Sequence, residues 1–127
     1  MILSNNQKAY LSIARYLARK SRANKRHGAV LVKAGSVVGT GYNKDMNHPL
    51  FISPEHIKSH SSRHAETEAI REARGNAEGA VLYVARVNNQ GTDRNSKPCG
   101  SCQEAILKSK IKRVIYTKDK ANVYFIA

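Results

Sequence analysis

Tryptophan is missing from this chain, phenylalanine and cysteine occur twice each, and nine acidic residues stand against 22 lysines and arginines. Each shortage narrows the field. Proteins that hold single strands of nucleic acid generally offer aromatic platforms on which bases stack, and this chain has few. No apolar run approaches the length of a membrane span, which predicts no membrane partner. The first residues, Met1-Ile2-Leu3-Ser4-Asn5, lack the charged-then-apolar order of a secretory signal, so the cytoplasm is the expected compartment. No long low-complexity stretch interrupts the sequence, and 41% of its residues are hydrophobic, as in a globular protein. At 127 residues that protein is expected to be one domain, 1–127, too short for two.

Both cysteines fall in one short string, Pro98-Cys99-Gly100-Ser101-Cys102, and a second string, His64-Ala65-Glu66, precedes it. One imidazole and two thiolates fill three corners of the tetrahedron that Zn2+ prefers, and with no spare thiolate the fourth stays open to water. An open corner marks catalytic zinc, whereas a structural zinc is closed by a fourth ligand. Cys99 and Cys102 stand three positions apart, which puts both on one face of a helix if Pro98 takes its first position, as proline favours. There the helix N-terminus and the metal lower the thiol pKa values. A helix starting near His64 would hold His64 and Glu66 in its first turn. The imidazole then binds metal, and Glu66, which is not a ligand, moves protons between water and a departing amine. The chemistry predicted is hydrolytic loss of ammonia from an aminated ring. A C-x-x-C pair can also be redox-active, but that reading leaves His64 and Glu66 unexplained, and a purely structural zinc has no need of Glu66.

The H-x-E and P-C-x-x-C strings resemble the zinc signature of the cytidine deaminase-like superfamily. Further likeness lies in His27-Gly28-Ala29-Val30-Leu31-Val32, in Gly39-Thr40-Gly41-Tyr42-Asn43 and in Ile111-Lys112-Arg113-Val114-Ile115-Tyr116, so it extends over nearly the whole chain. Within the superfamily the chain is most similar to deoxycytidylate (dCMP) deaminases of compact phage-like type. The resemblance implies one catalytic Zn2+ per chain, a small-molecule nucleotide substrate, and conversion of dCMP to dUMP and ammonia. It also implies a homo-oligomer, because members often complete a pocket from the neighbouring subunit. Asn43 would hydrogen-bond the substrate's sugar or base, Ala65 would lend a backbone contact to the pyrimidine, and Tyr42 would stack near it. Each has a plainer reading: asparagine at a strand end caps its own turn, a small residue packs under a metal, and a strand tyrosine fills the core. Because members sharing the zinc strings act on many substrates, two alternatives stay open. One is a deaminase of cytosine or adenine in single-stranded DNA or RNA; the other takes nucleosides or free bases such as cytosine or guanine. Some dCMP deaminases carry a further zinc near the region that here holds His48, His56 and His60. With no cysteine left to complete a set, these three are read as surface or loop-packing histidines, and His27 as structural.

Along the chain, Ser4 can cap a helix reaching about Ser21, with Tyr10, Ile13, Ala14 and Leu17 as its buried stripe. Ala29 to Val32 and Ser36 to Tyr42 read as strands joined by a turn at Lys33-Ala34-Gly35. An irregular stretch from Asn43 to Ser62 precedes a helix from His64 to Ala73 that ends at Gly75. Val81 to Val87 is a buried strand, Asn88 to Lys97 a polar loop and about Cys99 to Lys108 a helix. Arg113 to Thr117 and Val123 to Ile126 are the closing strands. This order fits an α/β fold, a three-layer α/β/α sandwich around one five-stranded mixed sheet. Related nucleotide and tRNA deaminases usually place a helix between the last two strands. Here about four residues connect them, short of the dozen or so that a parallel crossover needs, so an antiparallel terminal hairpin is expected.

The basic surplus gives a formal net charge of +13, which favours phosphate-bearing partners. The cations gather at 19–26, 94–97 and 108–113. Arg94 and Lys97 lie within five residues of Cys99, near enough along the chain to clamp a substrate phosphate. The same surplus can serve solubility alone.

Overall fold

Ser4 closes the start of the first helix twice over: its hydroxyl accepts the Gln7 N–H at 3.1 Å, and the Gln7 side chain accepts the Ser4 N–H at 2.8 Å. The computed structural model describes residues 2–23, 25–45, 62–119 and 121–125, and this helix, α1, spans Asn5–Lys20. Its buried face is Leu11, Ala14 and Ala18, while Ile13 is 38% exposed and Tyr10 and Leu17 sit at the core's margin. The expected stripe is therefore rotated. Gly28 explains why: a Cβ there would collide with the Ala14 carbonyl and the Ala18 amide, so only the alanine face of α1 can dock so close to the sheet.

Strands β1 (Arg26–Lys33) and β2 (Ser36–Tyr42) pair antiparallel around a two-residue turn, Ala34-Gly35, both at positive φ. Two further strands, β3 (Lys44–Asp45) and β4 (Ser62–Arg63), form a separate two-residue ladder. The rest of the stretch read as irregular lies outside the described residues, and so do His48, His56 and His60. Helix α2 (Ala65–Ala73) follows, and its left-handed end is Arg74, one residue before the expected Gly75. Then come β5 (Val81–Val87), β6 (Asp93–Arg94), α3 (Gly100–Lys108), β7 (Arg113–Lys118) and β8 (Ala121–Phe125).

The main sheet runs β2-β1-β5-β7-β8; β5 and β7 are parallel and every other neighbouring pair antiparallel. The sheet is mixed and ends in the expected antiparallel hairpin, β7 with β8. A short sixth strand, β6, folds back on the end of β5, out of the segment read as a loop. Its turn is closed by Asn88, whose Oδ1 accepts the N–H groups of Gln90 and Thr92.

Alternation along the strands sorts the core into two layers. Ala29, Leu31, Leu82, Val84 and Val114 pack with Ala65 and Ala69 of α2 and Ile106 of α3. Val30, Val32, Tyr83 and Ile115 pack on the opposite face with Leu11 and Ala14 of α1. This is the three-layer α/β/α sandwich. Among the described residues, no helix is long and apolar enough to cross a membrane.

Candidate metal centre

His64 and Cys99 hold the same place in their helices, each being the extended N-cap residue, of α2 and α3 respectively. Pro98 accordingly lies just before the cap and not at the first helical position. Its buried carbonyl accepts the Gln103 side-chain amide at 2.8 Å, which ties the loop to the helix it introduces. Glu66 and Cys102 then fall in the first turns, and the positive ends of both helix dipoles meet where four electron-rich side chains gather.

The Nδ1 of His64 lies 3.3 Å from the Cys102 sulfur and 3.7 Å from the Cys99 sulfur. All three donor atoms lie within 4.8 Å of one another. Zinc bonds of about 2.3 Å to sulfur and 2.0–2.1 Å to nitrogen, at a tetrahedral angle, require N···S edges of about 3.6 Å. The observed edges bracket that value, so the three residues fit one zinc ion. They fill three corners, with Cys102 1% exposed and both His64 and Cys99 open to solvent.

Glu66 is 4% exposed, the second residue of α2, and close enough to act on the charge of both cysteines. Burial pushes the Cys99 thiol up, but hydrogen bonds from the Ser101 hydroxyl at 3.3 Å and from Cys102 outweigh it, leaving its pKa lowered. Burial raises the Cys102 thiol first, and the negative charges of Glu66 and Cys99 raise it further, so the metal's own charge must offset both.

Strand parity places His27 on the α2 face, since its neighbour Gly28 meets α1. Burial lowers its pKa, with the charge of Glu66 opposing, and its Nδ1 lies 3.1 Å from the Lys25 carbonyl. Asn43 secures this corner. Its Oδ1 accepts the Ser21 hydroxyl at 2.7 Å and the His27 N–H at 2.8 Å, and its Nδ2 donates to the Lys25 carbonyl at 2.6 Å. One Nδ2 proton remains without a partner among the described residues. Ala65 is fully buried at the start of α2.

Tyr42 is not brought to the metal. It is directly opposed to Gly28, whose face meets α1, so it stands on the other side of the sheet from Glu66, under the Lys44 ammonium at 4.9 Å. Arg94 and Lys97 are both exposed, but Arg94 lines a polar cavity whose walls do not include Lys97. Three residues that the sequence reading passed over complete the surroundings. Arg86 shares the Arg94 cavity, and the parity of β5 was the available signal for it. Ser96 and Thr117 are fully buried and interlocked: Ser96 Oγ accepts the Thr117 N–H at 2.8 Å and donates to the Val84 carbonyl at 3.0 Å. Thr117 Oγ1 donates to the Arg94 carbonyl at 2.7 Å and accepts the Arg86 N–H at 3.1 Å. This knot fixes the chain three residues before Cys99.

Two helix N-termini of the sandwich thus bring together one imidazole and two thiolates, a zinc donor set, with a buried carboxylate beside them. The sequence signature of the cytidine and deoxycytidylate deaminase zinc-binding region matches residues 4–118, and the chain belongs to that family. It is similar to the riboflavin biosynthesis protein RibD of Aquifex aeolicus, at 33% identity over 85% of this chain and 26% of that protein. It is also similar to the tRNA-specific adenosine deaminase of Buchnera aphidicola, at 32% identity over 70% of this chain and 49% of that one. The chain thus spans 26% and 49% of these two relatives' lengths. In fold it resembles the dCMP deaminase of the cyanophage S-TIM5, with TM-score 0.66 and 21% identity over 91% of this chain and 84% of that one.

Proposed function

We propose that this chain is one domain, a zinc-dependent deaminase that acts on a free cytosine nucleotide and converts dCMP to dUMP and ammonia. The observation that carries the reaction type is Glu66, a buried carboxylate beside three zinc donors and not needed as a fourth. When bound, zinc supplies the Lewis acidity that makes water a nucleophile near neutral pH. Glu66 takes a proton from the attacking water and returns protons to the ring nitrogen and the departing amine. Ala65 offers its backbone to the pyrimidine, and the remaining Nδ2 proton of Asn43 reaches the sugar or base. Of the two cations read for the phosphate, Arg94 is kept for it, and Lys97, which is outside the Arg94 cavity, is not. A nucleotide is favoured over a nucleic-acid strand by the scarcity of aromatic platforms. Two free cysteines suit the reducing cytoplasm, where we place the enzyme as a homo-oligomer.

A second reading, deamination within single-stranded DNA or RNA, has one structural observation in its favour. The Arg19 guanidinium lies 3.8 Å from where a Cβ at Gly91 would stand, so the basic stretch closing α1 adjoins the β5–β6 turn. Ammonia release from zinc-loaded protein separates the readings when dCMP, dCTP, CMP, deoxycytidine, cytosine, guanine and a deoxycytidine-containing oligonucleotide are compared. The expected result is fastest release from dCMP. Efficient turnover of the oligonucleotide with none of dCMP would overturn the first reading.

A further inference from the structure

Arg86 and Arg94 are directly opposed across the β5–β6 ladder. Opposed residues of an antiparallel ladder leave the same sheet face about 4.5–5.5 Å apart at Cβ, where like charges repel. On its other side Arg86 is directly opposed to His27. Three basic side chains therefore form one row across β1, β5 and β6. Parity with Leu82 and Val84, which pack beneath α2, puts that row on the face carrying the zinc donors. His27 lies within the electrostatic reach of Arg86, Glu66 and His64 together.

Among the described residues little offsets this charge. Arg86 Nη1 lies 3.5 Å from the Asn95 carbonyl, and Arg94 Nη1 lies 3.9 Å from Asp119 Oδ1. Both are longer than the roughly 2.7–2.9 Å of a strong charge-assisted bond. Arg86 and Arg94 line a polar cavity of about 350 Å3, together with Val87, Asn88, Asn89, Asn95 and Asp119. Its backbone frame is held firmly. Arg15 grips Asp93 with two bonds of 2.8 and 2.9 Å, and Thr117 holds the Arg94 carbonyl. A repelling pair kept on a braced hairpin, on the sheet face that carries the zinc donors, is a site built for an anion.

We infer that Arg86 and Arg94 form the subsite for the phosphate of the substrate nucleotide, with Arg86 in the part first given to Lys97. This rests on the nucleotide-deaminase reading, and it names the group that such a substrate must carry. Arginine suits the task because its planar fork matches two phosphate oxygens at once.

The test uses the zinc-loaded full chain as wild type, Arg86→Gln, Arg94→Gln, Arg86→Lys and Lys8→Gln, the last a charge-matched change on exposed α1 surface. Far-UV circular dichroism and zinc content establish that each variant folds. Binding of inorganic phosphate is followed by 31P line broadening, and kcat/KM is compared between dCMP and deoxycytidine. Each glutamine variant should weaken phosphate binding by about tenfold to a hundredfold and lower the dCMP-to-deoxycytidine ratio by a similar factor. Arg86→Lys should recover part of the loss, and Lys8→Gln should match wild type. Unchanged phosphate binding in both glutamine variants overturns the subsite, whatever the activity. If wild type deaminates neither compound, the function reading falls and phosphate binding alone decides the subsite. Arginine-dependent binding of an oligonucleotide, with none of phosphate or dCMP, overturns the assignment to a mononucleotide.

Discussion

Substituting Gly41 by alanine probes how the sheet positions the catalytic helix. A Cβ at this position would stand 2.5 Å from the Ala65 carbonyl oxygen and 2.7 Å from the Glu68 Cβ, where ordinary contacts begin at 3.4 Å. The obstructing atoms are backbone and Cβ, so no flexible side-chain end can yield, and α2 must withdraw by nearly 1 Å at its first turn. Overpacking of this kind costs about 1–3 kcal/mol. For a domain near this size that lowers Tm by roughly 4–11 °C. Glu66 is the next residue after Ala65, so it moves with the helix. A misplacement of about 1 Å at a reacting group costs on the order of 10²-fold in rate. Gly41→Ala should therefore lose far more activity than its unfolded fraction explains, measured by ammonia release well below Tm. Gly100→Ala, with nothing within 4 Å of the added atom, serves as the comparison and should change melting little. A Gly41→Ala protein that melts and turns over like wild type would refute the claim that this close approach sets the site.

If Glu66 moves protons and holds no metal, as proposed, Glu66→Ala should retain about one zinc per chain by metal analysis while losing at least roughly 10²–10⁴-fold in rate; loss of zinc would contradict that role. Cys102→Ser should release zinc and lower thermal stability, since the metal joins α2 to α3, and chelation of wild type should reproduce both effects; full zinc with unchanged melting would refute the coordination. Burial lowers the His27 pKa from its ordinary 6.5, so as pH falls the unfolded chain takes up this proton first and stability declines from about pH 6.5 towards the folded value. In urea unfolding between about pH 5 and 7.5, His27→Gln should flatten that decline, and an identical slope in the two proteins would show that His27 carries no burial penalty.

Where a local rule sufficed, the sequence was legible. Val81–Val87 is apolar at every position but Arg86 and is a strand with those same ends, and the short link before β8 forced an antiparallel hairpin. The donors were legible because zinc chemistry dictates residue types at fixed spacings. Parity was a different matter. Alternation says that Tyr42 and Gly41 face opposite ways but not which of them faces α2, and that phase is set only by the collisions a Cβ at Gly28 or Gly41 would make. The same contact at Gly28 turned Ile13 outward on α1, which helical periodicity alone could not foresee. Strand β6 has two residues and therefore no period to read; a bidentate ion pair from Arg15 and the Asn88 turn hold it in place.

Those same anchors explain how one metal centre can serve chains with different substrates. The two halves of the donor set are supported separately: α2 rests on Gly39 and Gly41, and the strand leading to Cys99 is pinned by the Ser96–Thr117 knot. Between the end of β5 and Ser96 the chain leaves the sheet, forms the β5–β6 hairpin and returns to buried hydrogen bonds with Val84 and Thr117. Changes in that hairpin are thus confined between fixed points, and neither His64 nor Cys99 need move with them. Arg94 lies within it and Arg86 at its root, so on the proposed reading the charge offered to the substrate can vary while the position of Glu66 stays constant. On the proposed reading, the zinc donors belong to the starts of two helices and the choice of substrate to a hairpin on the same face of the sheet.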